Sequence, residues 1–272
     1  DYRNLVTHPR PSHADWVAMT KYKGFADYRG GGHFSGRITA ALVAAGALTA
    51  KALEDKGIYI GTHILNCHGV CDRHFDGKAA IDDVKKLAGV RFPVLDEKSA
   101  EAMRLEIERA AADGDSVGGI LETAVIGLPE GIGEPWFDTV EGMLAHAVFS
   151  IPAVKGIEFG MGFDFAKMRG SEANDAFRYK NGKVVTETNN NGGINGGITN
   201  GMPVLFRTVV KPTPSIFKKQ ETVDLFTKEN TELELRGRHP AIVHRARAVV
   251  DTVTALTICD LLAVRFGTDF LR

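Results

Sequence analysis

The fold is decided by the stretch Gly118-Gly119-Ile120-Leu121-Glu122-Thr123-Ala124-Val125-Ile126-Gly127, an apolar and β-branched run bounded by glycines. Residues two apart in an extended chain share a face, so Ile120, Glu122, Ala124 and Ile126 lie together. The mixture of polar and apolar residues in this alternation favours an antiparallel sheet. The run therefore predicts a strand with antiparallel neighbours.

Similar short runs flank this stretch and are separated by helical segments. We predict further strands over 58–66, 156–160 and 202–210, and helices over 37–56, 99–113, 136–150 and 243–264. Gly57 is placed to end the first helix, and Ser99 is a candidate N-cap of the second. The last helix is long and mostly apolar, which indicates burial on most sides. Without a strict βαβ rhythm, the pattern predicts an α+β fold with buried helices packed against antiparallel sheets.

Composition excludes several classes of protein. The 272 residues are 44% hydrophobic and 25% charged, enough for a full core, and the formal net charge of −1 disfavours nucleic acid as a partner. The longest weakly polar stretch, 38–50, is shorter than the roughly 20 residues of a membrane span, so no membrane association is expected. Three cysteines indicate a reducing compartment, and we expect a cytoplasmic protein.

Glycine and positive charge occur together in four segments, 10–15, 27–37, 189–201 and 211–215, with 237–239 following later. The second segment runs into a predicted helix, whose N-terminus favours an anion. The cations in these segments outnumber the acids Asp15 and Asp27; they are Arg10, His13, Arg29, His33, Arg37, Lys211, Arg238 and His239. Together they predict a small ligand with several negative groups.

Each feature also has a simpler interpretation. A single glycine-rich loop is usually a turn, His13 could cap the next segment, and His239 beside Pro240 could be a turn residue. Cys67, His68, Cys71 and His74 have a spacing compatible with zinc, but no distant second pair accompanies them, so we interpret them as a polar strand exit and predict no metal. An RNA-binding module is disfavoured because few aromatic residues lie near the loops.

The motifs together resemble those of the chorismate synthase family, in the family's order and over nearly the whole chain. The matching segments are Arg-Pro-Ser-His-Ala-Asp (10–15), Tyr-Arg-Gly-Gly-Gly (28–32), Ser-Gly-Arg (35–37), Gly-Asp-Ser-Val-Gly-Gly (114–119), Gly-Glu-Pro-Trp-Phe-Asp (133–138), Ser-Ile-Pro-Ala-Val-Lys-Gly (150–156), Met-Arg-Gly-Ser-Glu (168–172), Gly-Gly-Ile-Asn-Gly-Gly-Ile (192–198) and Lys-Pro-Thr-Pro-Ser-Ile (211–216). We therefore expect one chorismate synthase-like domain over residues 1–272, without the segment with which family sequences begin.

The resemblance implies a fold and a reaction. The family's fold is a β-α-β sandwich with buried helices between antiparallel sheets, assembled as a homotetramer. Its members convert 5-enolpyruvylshikimate 3-phosphate to chorismate and phosphate by anti-1,4-elimination, and they require reduced FMN. This phosphorylated small-molecule substrate and the cofactor phosphate agree with the charge pattern. The sequence does not indicate whether NADPH or a separate flavin reductase reduces the FMN.

The resemblance also assigns residues. His13 matches a histidine with a catalytic role towards the flavin, and Arg10 and Arg37 match arginines that face the substrate. The implied FMN contacts are His33, Phe34, Ser35, Pro152, Ala153, Gly196, Lys211, Pro212, Thr213, Pro214, Ser215 and Arg238.

The chain departs from the family pattern at His239-Pro240, where the family has an intervening aspartate proposed as the base. An alternative is therefore a protein on the same scaffold that binds FMN or a phosphorylated ligand without turnover, or an inactive fragment of that scaffold.

Overall fold

The computed structural model describes residues 3–76, 81–235 and 239–271. The helices are α1 (Asp15–Lys21), α2 (Thr39–Asp55), α3 (Ile81–Leu87), α4 (Glu97–Ala112), α5 (Val140–Val148), α6 (Gly170–Ala173) and α7 (Val243–Phe266). The strands are β1 (Tyr59–Cys67), β2 (Val70–Cys71), β3 (Gly119–Ile126), β4 (Val154–Phe159), β5 (Phe177–Lys180), β6 (Lys183–Thr186), β7 (Ile194–Asn195), β8 (Ile198–Thr199), β9 (Val204–Val210), β10 (Gln220–Val223) and β11 (Asn230–Leu233).

The central element is a five-stranded sheet in the order β2-β1-β3-β9-β4. All of its pairings are antiparallel, as are those of the three two-stranded hairpins in the described residues. The opening stretch is β3, which lies between β1 and β9. The predicted α+β class with antiparallel sheets is confirmed.

One face of the sheet carries the main core. Helix α7 crosses β1 and β3, with α2 and α5 packed beside it, and half of its 24 residues are buried. Helices α2 and α7 approach closely at Gly46 of α2, where an added Cβ would lie 2.4 Å from Cβ of Thr252 and 2.5 Å from its carbonyl oxygen. Only glycine allows this approach without displacing the α7 backbone.

The opposite face of the sheet carries a smaller cluster beneath α3. Phe75, Val84, Leu87, Ala124 and Leu205 are buried there. The charged side chains described below lie on this face.

Most predicted elements are confirmed with shifted ends. Two details of the helix predictions are wrong. Asp96, not Ser99, caps α4, since its carboxylate accepts a hydrogen bond from the Lys98 amide at 3.1 Å. The segment predicted as one helix over 136–150 is a 3₁₀ turn, Trp136–Asp138, followed by α5; Thr139 is extended and its hydroxyl caps α5 through the Gly142 amide. Local capping groups therefore set both helix starts.

Helix α2 and the 3₁₀ turn before it form a longer apolar stretch than the sequence estimate of 13 residues. Within the described part of the chain, Gly36–Asp55 is the one helix long and apolar enough to span a membrane by length and composition alone, and 17% of its window is buried. Its contact with α7 at Gly46 places one side of it in the main core.

Candidate active site

The segment Arg10–Asp15 folds on itself through one carboxylate. Asp15 accepts hydrogen bonds from Nε and Nη2 of Arg10, both at 2.8 Å, and from the Arg10 amide at 3.0 Å. Nδ1 of His13 lies 2.7 Å from Oδ1 of the same carboxylate. The three side chains are largely buried, with 9%, 16% and 10% of Arg10, His13 and Asp15 exposed.

Burial alone would raise the pKa of Asp15, but the hydrogen bonds from Arg10 and His13 hold it well below its usual range. Asp15 is therefore a buried carboxylate that stays ionised. Nε and Nη2 of Arg10 are both directed at this carboxylate.

The glycine turn before α2 lies against His13. Gly31 has φ +89°, and an added Cβ there would lie 3.4 Å from Cε1 and 3.5 Å from Nε2 of His13. His33 and Phe34 are exposed in the following 3₁₀ turn, and the hydroxyl of Ser35 accepts a hydrogen bond from the Arg37 amide. The structure therefore brings the 10–15 and 31–35 segments together, with the exposed Arg37 at the entry to α2.

The segment after β9 joins this assembly. Nζ of Lys211 donates to the carbonyl of Ser12 at 2.5 Å, and the Lys211 amide donates to the carbonyl of Ala153 at 2.9 Å. Ala153, beside Pro152, has a φ of +74°, a left-handed conformation that only a few per cent of non-glycine residues adopt. Four predicted segments, 10–15, 31–37, 152–153 and 211–215, thus form one contact network.

Thr213 lies within this network between Pro212 and Pro214, which Ser215 follows. Its carbonyl accepts a hydrogen bond from the Ser116 hydroxyl at 2.7 Å. Its own Oγ1 is buried and has no hydrogen-bond partner among the residues that the structure describes. A buried unpaired hydroxyl is costly, and it is a position at which a ligand can form the missing bond.

One predicted residue is not joined to this network by any hydrogen bond in the described part of the chain, and another lies outside that part. Gly196 lies in the turn of the β7–β8 hairpin, whose hydrogen bonds to the rest of the described chain run to residues 129–140. Arg238 lies outside the described residues, so its predicted contact stays a prediction.

The four residues with zinc-compatible spacing do not converge. Cys67 is buried, and burial raises its pKa to about 11, whereas Cys71 is exposed. The exposed His68 lies 3.8 Å from Glu106, and His74 lies 2.7 Å from Glu122. Among the described residues, no cluster of three or more His, Cys, Asp or Glu side chains could hold a metal ion.

Sequence reasoning missed a row of charged residues across the sheet. His63 pairs with Glu122, Glu122 with Arg207, and Arg207 with Glu158 in the registers of β1, β3, β9 and β4. We call these four residues the charged row. Nε2 of His63 lies 3.0 Å from Glu122, and Nε of Arg207 lies 3.0 Å from Glu158. Glu122, the one charged residue of β3, was the sequence signal that could have found it.

A cavity of about 510 Å³ opens on this row and is lined by Glu122, Arg207, His74, Met161 and Asn190 among others. Its charged groups are already paired. Oε1 of Glu122 accepts from His74, and Arg207 donates to the carbonyls of Gly160 and Met161. This pairing indicates a structural role for the charged row.

Comparison with known proteins identifies relatives of this chain. The chorismate synthase family model matches residues 1–263. Chorismate synthase of Korarchaeum cryptofilum is 48% identical over 263 residues, which cover 95% of this chain and 71% of that protein. Chorismate synthase of Thermococcus kodakarensis is 47% identical over 265 residues, which cover 97% of this chain and 73% of that protein.

The fold agrees with this similarity. A crystal structure of chorismate synthase superposes with a TM-score of 0.77 at 29% identity, and the match covers 94% of this chain and 72% of that one. The chain thus shares both the family's sequence over nearly all of its length and the family's mixed helix and sheet structure. It belongs to the chorismate synthase family, the flavin-dependent carbon–oxygen lyases of the shikimate pathway.

Proposed function

We propose that the network of segments 10–15, 31–37, 152–153 and 211–215 is the active site at which this lyase converts 5-enolpyruvylshikimate 3-phosphate to chorismate and phosphate. The observation that carries this assignment is the hydrogen bond from Lys211 Nζ to the Ser12 carbonyl, which joins segments 199 residues apart. It supports the assignment because it sets 211–215, to which the resemblance assigns flavin contacts, beside the segment that contains His13.

The residues present fit a flavin of the FMN type. The buried Oγ1 of Thr213 lacks a partner in the described chain, and Lys211 and the hydroxyl of Ser35 suit a phosphate or a polar ring edge. Reduced FMN, when bound, supplies electron density for cleavage of the carbon–oxygen bond. The proposed contacts are His33, Phe34, Ser35, Pro152, Ala153, Gly196, Lys211, Pro212, Thr213, Pro214, Ser215 and Arg238.

Two arginines have a separate role towards the substrate. Departure of phosphate from an allylic carbon leaves negative charge on the phosphate oxygens, and a preorganised donor at such charge contributes about 3–4 kcal/mol. Arg10 and Arg37 supply permanent positive charge there. Arg10 contributes through Nη1, because Asp15 occupies the other edge of its guanidinium.

We further propose a cytoplasmic homotetramer whose FMN is reduced by NADPH or by a separate flavin reductase. The family is soluble, and the three cysteines are free thiols in this structure. Sedimentation of the purified protein tests the tetramer, and flavin reduction by NADPH alone separates the two sources of electrons.

The assignment is tested by measuring chorismate formation under anaerobic conditions with reduced FMN. Arg10→Ala and His13→Ala should each lower turnover by about 10²-fold or more and leave the fold unchanged by circular dichroism. Arg178→Ala, which removes an exposed pair with Glu187 on the β5–β6 hairpin, is the matched control and should keep wild-type turnover. Near-parental turnover of either site variant would show that its assigned role is wrong.

A second candidate function is binding without turnover, favoured by the missing aspartate at His239-Pro240. It predicts a normal flavin titration and no chorismate. The same anaerobic assay, run beside a spectroscopic titration of FMN, distinguishes the two.

A further inference from the structure

The hydrogen bonds of Asp15 identify a function for a residue that the family resemblance did not assign. Asp15 is the first residue of α1 and contacts both Arg10 and His13, the two residues with proposed roles in this segment. Its two carboxylate oxygens accept from three side-chain nitrogens and one amide.

The contact between Asp15 and His13 determines which ring nitrogen of His13 carries a proton. Nδ1 lies 2.7 Å from Oδ1 of Asp15 and 3.2 Å from Nη2 of Arg10. A guanidinium has only donors, and an ionised carboxylate has only acceptors. Since Asp15 stays ionised, the short contact requires that Nδ1 carry a proton and donate it to Asp15. Arg10 and His13 are then two donors held side by side by one carboxylate.

This arrangement leaves Nε2 as the functional edge of the imidazole. Nε2 lies beside Gly31, whose lack of a side chain keeps the space next to the ring open. A carboxylate that fixes the tautomer of a histidine in this way is a recurrent device in enzymes, because it presents the other nitrogen in a defined protonation state.

We propose that Asp15 is a positioning residue that acts through His13, by holding the ring proton on Nδ1 and presenting Nε2 as the atom that exchanges a proton during the reaction. The same carboxylate holds Arg10 beside it, so the three side chains act as one unit. This inference rests on the proposed function of His13.

The test combines kinetics with a tautomer measurement. Asp15→Asn keeps the size of the side chain but can hydrogen-bond the opposite tautomer of His13. We expect turnover to fall by about 10²-fold or more, with the flavin dissociation constant within about twofold of wild type. In a His13→Gln background, Asp15→Asn should cause a much smaller further fall in turnover, namely the part that comes from its contact with Arg10. Glu187→Gln, which alters an exposed bidentate pair with Arg178, is the control and should keep wild-type turnover.

Nitrogen-15 NMR of histidine-labelled wild-type protein gives an independent readout, with His13→Gln used to assign the signals. A proton on Nδ1 of His13 in the wild type is expected, with a shift towards the Nε2 form in Asp15→Asn. The proposal is overturned if the wild type has its proton on Nε2 alone. It is also overturned if Asp15→Asn lowers turnover equally with and without His13, or not at all.

These outcomes separate the inference from the function on which it rests. If the wild type forms no chorismate, the proposed function fails, and the NMR result still decides whether Asp15 fixes His13. If the wild type is active and His13→Gln is inactive while Asp15→Asn is normal, only the role of Asp15 is lost.

Discussion

Nε2 of His63 lies 3.0 Å from Oε2 of Glu122 in the centre of the five-stranded sheet, and both side chains are buried. Nδ1 of the same imidazole lies 3.0 Å from the buried Asp72. Burial alone would lower the pKa of His63, but its hydrogen bonds to Asp72 and Glu122 raise it. Burial would likewise raise the pKa of Glu122, yet the hydrogen bonds from His63, His74 and the Phe75 amide lower it to about 2. The sheet therefore contains a buried cation between two anions.

This cluster predicts a specific dependence of stability on pH. Because the pKa of His63 is raised in the folded state, its contribution to the free energy of unfolding is complete below its unfolded-state pKa of about 6.5. That contribution is lost as the pH rises through the folded-state pKa. A pKa that is higher by one in the folded state than in the unfolded state adds about 1.4 kcal/mol to this contribution. The stabilisation from Glu122, whose pKa is lowered, is present above about 4.5 and is lost as the pH falls towards about 2.

We therefore expect the difference in unfolding free energy between wild type and His63→Gln to be largest near pH 5.5 and to shrink as the pH rises. Urea unfolding at pH 5.5, 7.0 and 8.5 measures it. Leu121→Ala, a buried and non-titrating change in the adjacent strand, should cost about 2–5 kcal/mol at every pH. If the difference in unfolding free energy between wild type and His63→Gln stays constant or grows with pH, the imidazole in the sheet is not charged.

The contact between α2 and α7 predicts that Gly46→Ala destabilises the protein by about 1–3 kcal/mol, through overpacking against Thr252. Helix propensity alone would make the change favourable by about 1 kcal/mol, so the sign of the effect tests the packing directly. Gly170→Ala is the control, since an added Cβ there meets no atom within 4 Å. Thermal unfolding of the two variants gives the comparison, and equal stabilities would show that the helices do not approach at Gly46.

The sequence predicted the sheet because the main strands are rich in β-branched residues, and glycine follows β3 at Gly127 and β4 at Gly160. β3 carried the further alternation that indicated antiparallel pairing. Helix starts were less predictable because a cap is a choice among neighbouring polar residues. Asp96 and Ser99 are both suitable, and only the chain path shows that Asp96 binds the Lys98 amide.

The motifs of the candidate site could be predicted from the sequence, but the contacts between them could not. Composition showed that cations accompany glycine, but not that Lys211 reaches the Ser12 carbonyl. The pairing of Arg10 with Asp15 also could not be inferred, because residue charges do not specify which side chains meet in the folded chain. Long-range pairings such as His63 with Glu122 depend on strand register, which a single sequence does not specify.

Removal of the unpaired hydroxyl at Thr213 should weaken flavin binding without weakening the fold. Thr213→Val keeps the shape of the side chain, and a hydrogen bond to the flavin of about 1 kcal/mol corresponds to a roughly fivefold rise in the dissociation constant. Thr208→Val is the matched control, because Thr208 Oγ1 is also buried without a partner in the described chain but lies within β9. The control should bind FMN as the wild type does. Fluorescence titration measures both, and equal affinities for the two variants would remove Thr213 from the cofactor site.

Insertion of an aspartate between His239 and Pro240 should increase chorismate turnover. The carbonyl of Pro240 accepts a hydrogen bond from the Val117 amide, and the neighbouring Ser116 binds the Thr213 carbonyl, so the junction adjoins the proposed flavin segment. A carboxylate there would restore the aspartate that the family resemblance implies as a base, and general bases contribute about 10²–10⁴-fold. Insertion of asparagine is the control for loop length and should leave turnover at the wild-type level. The assay is anaerobic chorismate formation with reduced FMN, alongside a flavin titration that should not change. An equal gain from aspartate and asparagine would assign the effect to loop length, and no gain from aspartate would show that the reaction in this chain does not depend on a base at this position.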